Sequence, residues 1–333
     1  MGQKVKLLFL SPEFYQYINA ITDELKINDI EVTYYKWWPS LGVFRKYFFK
    51  KNEHKRKRIM DKYLRKILEE TKGQEFDMIF MCSTIYFTRE QTKKLLDAFP
   101  KAKKVFFMWD TIINYPVAET YIDLFDKFYS FDKTDCEKYS LEYRADFADP
   151  ALLEKEPLKM EKDLDLFFLG SVDGYRYKVI KEVEKYCKAN NISFGVYMYF
   201  KKKLLFHLAK LLYPEMRKAK KSEFIFSPIK GEEKDKLYAR SRAILEIVRE
   251  RQNGMSMRSI ESQLLDIKMV TNQGSIKLYN LYDKNNVAII SLDDMGAINR
   301  EFLDGEYKVL KPEIKNEYKV ETFVKELILD NLK

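Results

Sequence analysis

The sequence predicts an α/β chain of two Rossmann-like domains, and three observations carry that prediction. Its 333 residues are about twice the length of a typical domain. Short apolar runs alternate with segments of helical period, as βα units around a parallel sheet require. The alternation stops in a charged, proline-containing stretch near the middle and then starts again. Hydrophobic residues make up 46% of the chain, enough for two cores and too many for a disordered one.

The elements follow in order. Val5–Leu10 reads as a first strand, ended by Ser11-Pro12, an N-cap and first-turn proline for a helix over Glu13–Ile27. A strand over Ile30–Tyr35 and a helix over Lys55–Thr71 come next. Met78–Cys82 is a strand, and Thr88 caps a helix over Arg89–Ala98. Val105–Trp109 and Lys127–Phe131 are strands on either side of a helix at Ala118–Leu124. From Pro150 to Lys162 the chain is charged and lacks periodicity, so residues 151–162 are expected to link a domain of 1–150 to one of 163–333. In the second domain the strands are Leu164–Leu169, Ser193–Tyr199, Phe224–Phe226, Ala243–Val248, Met269–Thr271 and Val287–Ile290. Its helices are Tyr177–Ala189, Glu233–Arg240, Met257–Leu265 and a terminal Val320–Leu332.

No apolar run approaches the roughly 18 residues of a membrane span. Cys82, Cys136 and Cys187 are odd in number and widely spaced, which argues for a reducing compartment and against a structural zinc site. A cytoplasmic protein is expected. The net charge is +9, and it is concentrated. Arg45–Lys66 holds eleven Lys and Arg against Glu53 and Asp61, and Tyr197–Lys221 holds eight against Glu215. Both runs interleave with large apolar residues (Phe44, Tyr47, Phe48 and Phe49 in one; Leu204, Leu205, Phe206, Leu208, Leu211 and Leu212 in the other). Such a run is either a solvated helix face or a docking surface. Segments 44–66 and 197–221 suit an anionic membrane, where each nearby cation contributes about 1 kcal/mol. No nucleic-acid-binding motif accompanies the charge, so nucleic acid is not expected as a partner.

One constellation carries chemistry. A strand at Ala243–Val248 enters a loop containing Asn253 and Gly254, and a helix begins near Ser256 or Met257. Backbone N–H groups and the positive end of a helix dipole then lie at the carboxyl edge of a sheet, a suitable place for a diphosphate. Arg258, in the first helical turn, can add a charge-assisted contact. Glu261 follows one turn on, where a carboxylate can accept ribose hydroxyls, and the next strand ends at Asn272. Spacing alone also permits an ordinary βαβ unit with a capped helix.

The run Asn253-Gly-Met-Ser-Met-Arg-Ser-Ile-Glu261, followed by Lys268-Met-Val-Thr-Asn272, resembles the donor-site segment of GT-B glycosyltransferases. The bacterial enzymes of capsule, O-antigen and lipopolysaccharide biosynthesis are the nearest in kind. Phe107-Met-Trp-Asp-Thr-Ile-Ile-Asn-Tyr-Pro116, Phe128-Tyr-Ser-Phe-Asp132 and Phe167-Phe-Leu-Gly-Ser-Val-Asp-Gly-Tyr-Arg176 are similar to the same group. The resemblance implies two Rossmann-like domains facing a cleft, the first for the acceptor and the second for a nucleoside-diphosphate sugar. It also implies Gly170-Ser171 as the turn after the second domain's first strand, and Arg176 as a phosphate ligand; a plain surface arginine is the alternative. Many retaining members carry a second glutamate eight positions before the ribose-binding one, where this chain has Asn253.

An inverting transfer needs a base. His54 and His207 sit in the basic apolar runs and read as packing or surface residues. Asp110, at the end of a strand, is the candidate, with an Asx-turn role as its equal alternative and Asp132 in reserve. Asp163-Leu-Asp165 precedes a strand and reads as a charged strand entry, so no metal and no cofactor beyond the donor is expected. Two other functions fit the fold: a nucleotide-sugar epimerase, or a non-enzymatic nucleotide- or nucleic-acid-binding protein.

Overall fold

Among the described residues, six strands in each half of the chain assemble into one parallel sheet apiece. A computed structural model describes residues 4–13, 15–40, 52–82, 86–154, 158, 160–229, 231–249 and 252–333. The first sheet is built from β1 (Lys6–Ser11), β2 (Glu31–Lys36), β3 (Met78–Cys82), β4 (Lys103–Met108), β5 (Lys127–Ser130) and β6 (Glu142–Tyr143). Their order is β2-β1-β3-β4-β5-β6, and every neighbouring pair is parallel. Parallel strands flanked by helices bury both faces. Every residue of β3 is buried, which is why its sequence is apolar without alternation.

Local chemistry sets the helices of this sheet. After α1 (Tyr15–Ile27), α2 (Glu53–Glu70) starts where Lys55 N donates to the Asn52 side chain at 2.9 Å. It turns Met60, Leu64 and Ile67 inward. At the start of α3 (Arg89–Asp97), Thr88 and Gln91 form a reciprocal capping box. The helix expected at Ala118–Leu124 is instead a 3₁₀ helix over Pro116–Leu124. Its buried residues Ala118 and Tyr121 are three apart, the 3₁₀ repeat, and over so few turns this is hard to tell from an α-helical one. The two-residue β6 is too short to show a period in sequence.

The second sheet comprises β7 (Leu164–Ser171), β8 (Phe194–Tyr199), β9 (Phe224–Ile225), β10 (Ser241–Glu246), β11 (Lys268–Thr271) and β12 (Val287–Ile289). Its order, β12-β11-β10-β7-β8-β9, is that of a Rossmann sheet, with its first strand central. Here β7 runs two residues further than expected. Gly170 and Ser171 pair with Met198 and Tyr199, so they end the strand rather than form the turn after it. The following helix starts at Gly174 instead of Tyr177 because Asp173 caps it, accepting from Arg176 N at 2.9 Å. The strand entry Asp163-Leu-Asp165 is held by arginines. Arg240 grips Asp163 at 2.7 and 2.6 Å, and Arg300 grips Asp165 at 2.8 and 3.0 Å.

By contacts the chain divides into Met1–Pro150 with Asn316–Lys333, and Ala151–Lys315. The terminal helix therefore belongs to the first unit, not to the 163–333 domain expected from sequence. That helix, Val320–Val324 running into a π-helical turn at Lys325–Leu329, buries Phe323 against Phe107 and Phe147, with ring centroids 5.0 and 4.8 Å apart. Periodicity reveals that a helix has an apolar face but not which sheet that face covers. Of the expected linker, residues 155–157 and 159 lie outside the described residues, as do 44–51 of the first basic segment.

Candidate functional site

In an open α/β sheet the strands on either side of the first one leave a crevice at their carboxyl ends, and ligands bind there. In the second unit this is the point where β7 and β10 lie side by side. The last residue of β10, Glu246, is only 2% exposed. Such a burial is costly unless the carboxylate is paired, and two residues of the next helix pair it. Ser256 Oγ donates to Glu246 Oε1 at 2.9 Å, and Arg258 Nη1 donates to Oε2 at 2.6 Å. Ser256 also caps that helix, Met257–Leu264, accepting from Ser259 N at 3.1 Å. A strand end and a helix start are thus clamped together through one carboxylate.

Glycine at the end of β7 makes room for this clamp. A Cβ on Gly170 would lie 3.1 Å from Arg258 Nη2, so the guanidinium rests almost on the backbone of β7. Arg176 reaches the same edge, its Nε donating to Ile247 O at 2.9 Å and its Nη1 to Ser171 O at 3.4 Å. Burial and the neighbouring Arg258 charge pull the Arg176 pKa below its ordinary value. For Arg258, burial acts the same way, but Glu246 overrides it and the pKa rises. Two guanidiniums and a capped helix N-terminus therefore gather where the two strands meet. Glu261 stands one turn further along the helix, 6% exposed, and its charge adds to the field that holds Arg258 protonated.

The loop from β10 to the helix is held by side chains the sequence reading did not assign. Gln273, nearly fully buried, donates through Nε2 to Asn253 O at 2.7 Å and Gly254 O at 3.0 Å. Ser275 Oγ and Tyr279 Oη donate to the same Asn253 carbonyl at 2.9 and 3.1 Å. Asn272 spends its amide on the loop: Oδ1 accepts from Val248 N at 2.9 Å, and Nδ2 donates to Val248 O and to Tyr175 Oη, each at 3.1 Å. It shapes the loop instead of projecting from it. The structure brings Gly170, Ser171, Arg176, Ser256, Met257 and Arg258 to the switch point, with Asn253, Gly254 and Asn272 in the adjoining loop. Lys277 borders a different hollow, shared with Lys268 and Lys284.

The carboxyl edge of the first sheet is acidic. Asp110 takes up its turn role: Oδ1 accepts from Thr111 N at 2.8 Å and from Asn114 Nδ2 at 3.0 Å. Asp132 caps the helix Lys133–Tyr139, accepting from Thr134 N at 2.9 Å. On that helix Asp135 accepts from Ile112 N at 2.7 Å and ties it to the loop after β4. The residue missed from sequence is Asp146, 4% exposed beyond β6. Burial pushes its pKa well up, and the Arg144 charge offsets this only in part. It followed no recognised strand, so nothing in the sequence marked it. His54 and His207 are both exposed.

No protein-family model matches the sequence, and no curated protein matches it either. Solved structures do match along nearly the whole chain. HepE of Anabaena, in complex with UDP and glucose, superposes with a TM-score of 0.62 at 11% identity, over 98% of this chain and 99% of that one. A glycosyltransferase from Rickettsia africae gives 0.59 at 13% identity, over 100% and 95%. UDP-GlcNAc 2-epimerase from Methanocaldococcus jannaschii gives 0.56 at 12% identity, over 98% and 100%. Identities this low establish the fold alone. It is the two-domain α/β arrangement of GT-B enzymes.

Proposed function

We propose that this chain is a glycosyltransferase that moves a sugar from a nucleoside-diphosphate sugar to a glycan acceptor, without a metal ion. The observation that carries this reading is the meeting of Arg176, Arg258 and a Ser256-capped helix start at the β7–β10 switch point, on a fold shared with enzymes of UDP-sugars. As the bond from the sugar to the diphosphate breaks, negative charge grows on the leaving phosphate oxygens. Arginines and helix N–H groups fixed beforehand stabilise that charge without having to reorganise. Gly170 and Ser171 give the donor a close approach to backbone, Asn253 and Gly254 border the sugar, and Glu261 takes the ribose hydroxyls. Asn272 acts at one remove, by holding the loop. Asp110, although its Oδ1 is engaged in the turn, is the proposed base that receives the acceptor hydroxyl's proton while the new glycosidic bond forms. The acceptor is a lipid-linked glycan of surface-polysaccharide assembly, met at the cytoplasmic face of an anionic membrane.

The test is a panel of nucleotide sugars, read by thermal shift and by slow donor hydrolysis. One donor should raise the unfolding temperature, and Glu261→Ala should remove that rise. Stabilisation by no donor, together with an inert Glu261→Ala, would sink the proposal. An epimerase is the second reading, favoured by the match to UDP-GlcNAc 2-epimerase and by the acidic edge of the first sheet. It requires deuterium from heavy water to enter the sugar, whereas a transferase leaves the sugar unlabelled.

A further inference from the structure

Between β8 and β9 the chain makes one more helix, Lys203–Leu212, and the helix has two apolar faces. Phe206 and Ala209 are buried in the core of the second unit, where Phe206 packs on Phe200 and Phe224 with centroids 5.8 and 4.9 Å away. These contacts fix the helix in rotation. At 3.6 residues per turn, Leu204, Leu205, Leu208, Leu211 and Leu212 then fall within an arc of about 120° beside the core face. All five point outward, each between 43% and 78% exposed. Because the core face is already filled, they cannot turn inward.

The surroundings of the leucines are cationic. Lys201, Lys202 and Lys203 precede them, and Arg217, Lys218, Lys220 and Lys221 follow, all exposed. Glu215, the acid within the run, lies against Gly174. No helix among the described residues is long and apolar enough to cross a membrane. An aliphatic strip rimmed by lysines has the make-up of a helix lying in the plane of a bilayer interface, its leucines among the acyl chains and its cations at the phosphates. Aliphatic side chains offer no stacking surface for bases, which disfavours a single-stranded nucleic acid. The rim of like charge also disfavours a second copy of the same face.

We infer that the leucine face of Lys203–Leu212 is a membrane anchor of the second unit, inserting into the interface of an anionic bilayer. The inference does not rest on the transfer reading. A protein that binds vesicles but no donor refutes that reading and leaves this one standing.

The full chain is floated with vesicles of phosphatidylcholine alone, and with vesicles in which part is replaced by phosphatidylglycerol. Binding to the mixed vesicles is expected, weakened by salt. Replacing Leu204, Leu208 and Leu211 together by Ser should reduce it by about tenfold or more, since the inserted apolar area is lost. These side chains are exposed, so the unfolding temperature should stay unchanged, which separates lost binding from lost fold. Independently, Leu211→Trp should show a blue shift in emission with mixed vesicles and none with buffer. Flotation unaffected by the serine substitutions overturns the anchor. So does leucine-dependent self-association without lipid, or a preference for a single-stranded oligonucleotide over the vesicles.

Discussion

Arg258 is held by a carboxylate that the sequence reading passed over. Glu246 ends β10, and nothing in the strand's sequence singles it out; the contact that matters comes from a helix residue twelve positions later. Glu246→Ala leaves Ser256 without its acceptor and Arg258 without its counter-ion. Because the Arg258 side chain is 32% exposed, water recovers part of the loss, and a cost of about 2 kcal/mol is expected. Chemical denaturation and titration with nucleotide check this: stability and nucleotide affinity should fall together. Asp146 makes the opposite prediction. Its folded pKa lies above its unfolded value near 4. The stability it contributes is therefore present below about pH 4 and is lost as pH rises through the folded pKa. Asp146→Asn should raise the unfolding temperature at pH 7, and the difference should vanish toward pH 4. An equal difference at both pH values would mean that the charge of Asp146 is not what penalises the fold.

Elements were more legible than the contacts that join them. Runs such as Met78–Cys82 announced buried strands because both faces are covered, and Thr88 announced its helix through a cap. Residues that act at a distance were silent. Gln273 carries no mark in the sequence, and only the fold brings Asn253 and Gly254 under its amide. The loop of the candidate site was singled out by its letters, while what stiffens it was not. The terminal helix shows the same limit. Its sequence advertised an apolar stripe, but the stripe meets Phe107 and Phe147, more than 170 positions earlier. Phe323→Ala should cost about 3–4 kcal/mol, as for other buried phenylalanines truncated in a core. Thermal unfolding should show the loss in the unit containing β1–β6, and the nucleotide binding proposed for the other unit should survive.

At the scale of the whole molecule, two sheets were foreseeable from a repeated βα pattern, but their strand orders were not. Period and length identify strands; which strands become neighbours depends on crossovers that leave no local mark. The second sheet's order places β7 beside β10, and this alone makes Gly170 and Arg258 neighbours across 88 residues of chain. The return of residues 316–333 to the first unit has a consequence in time. A ribosome delivers Met1–Pro150, then all of Ala151–Lys315, and only afterwards the helix that covers Phe107 and Phe147. The second unit is contiguous and can close as it emerges. The first unit must wait with aromatic surface uncovered, so during synthesis the unit that begins to emerge earlier is completed later than its neighbour.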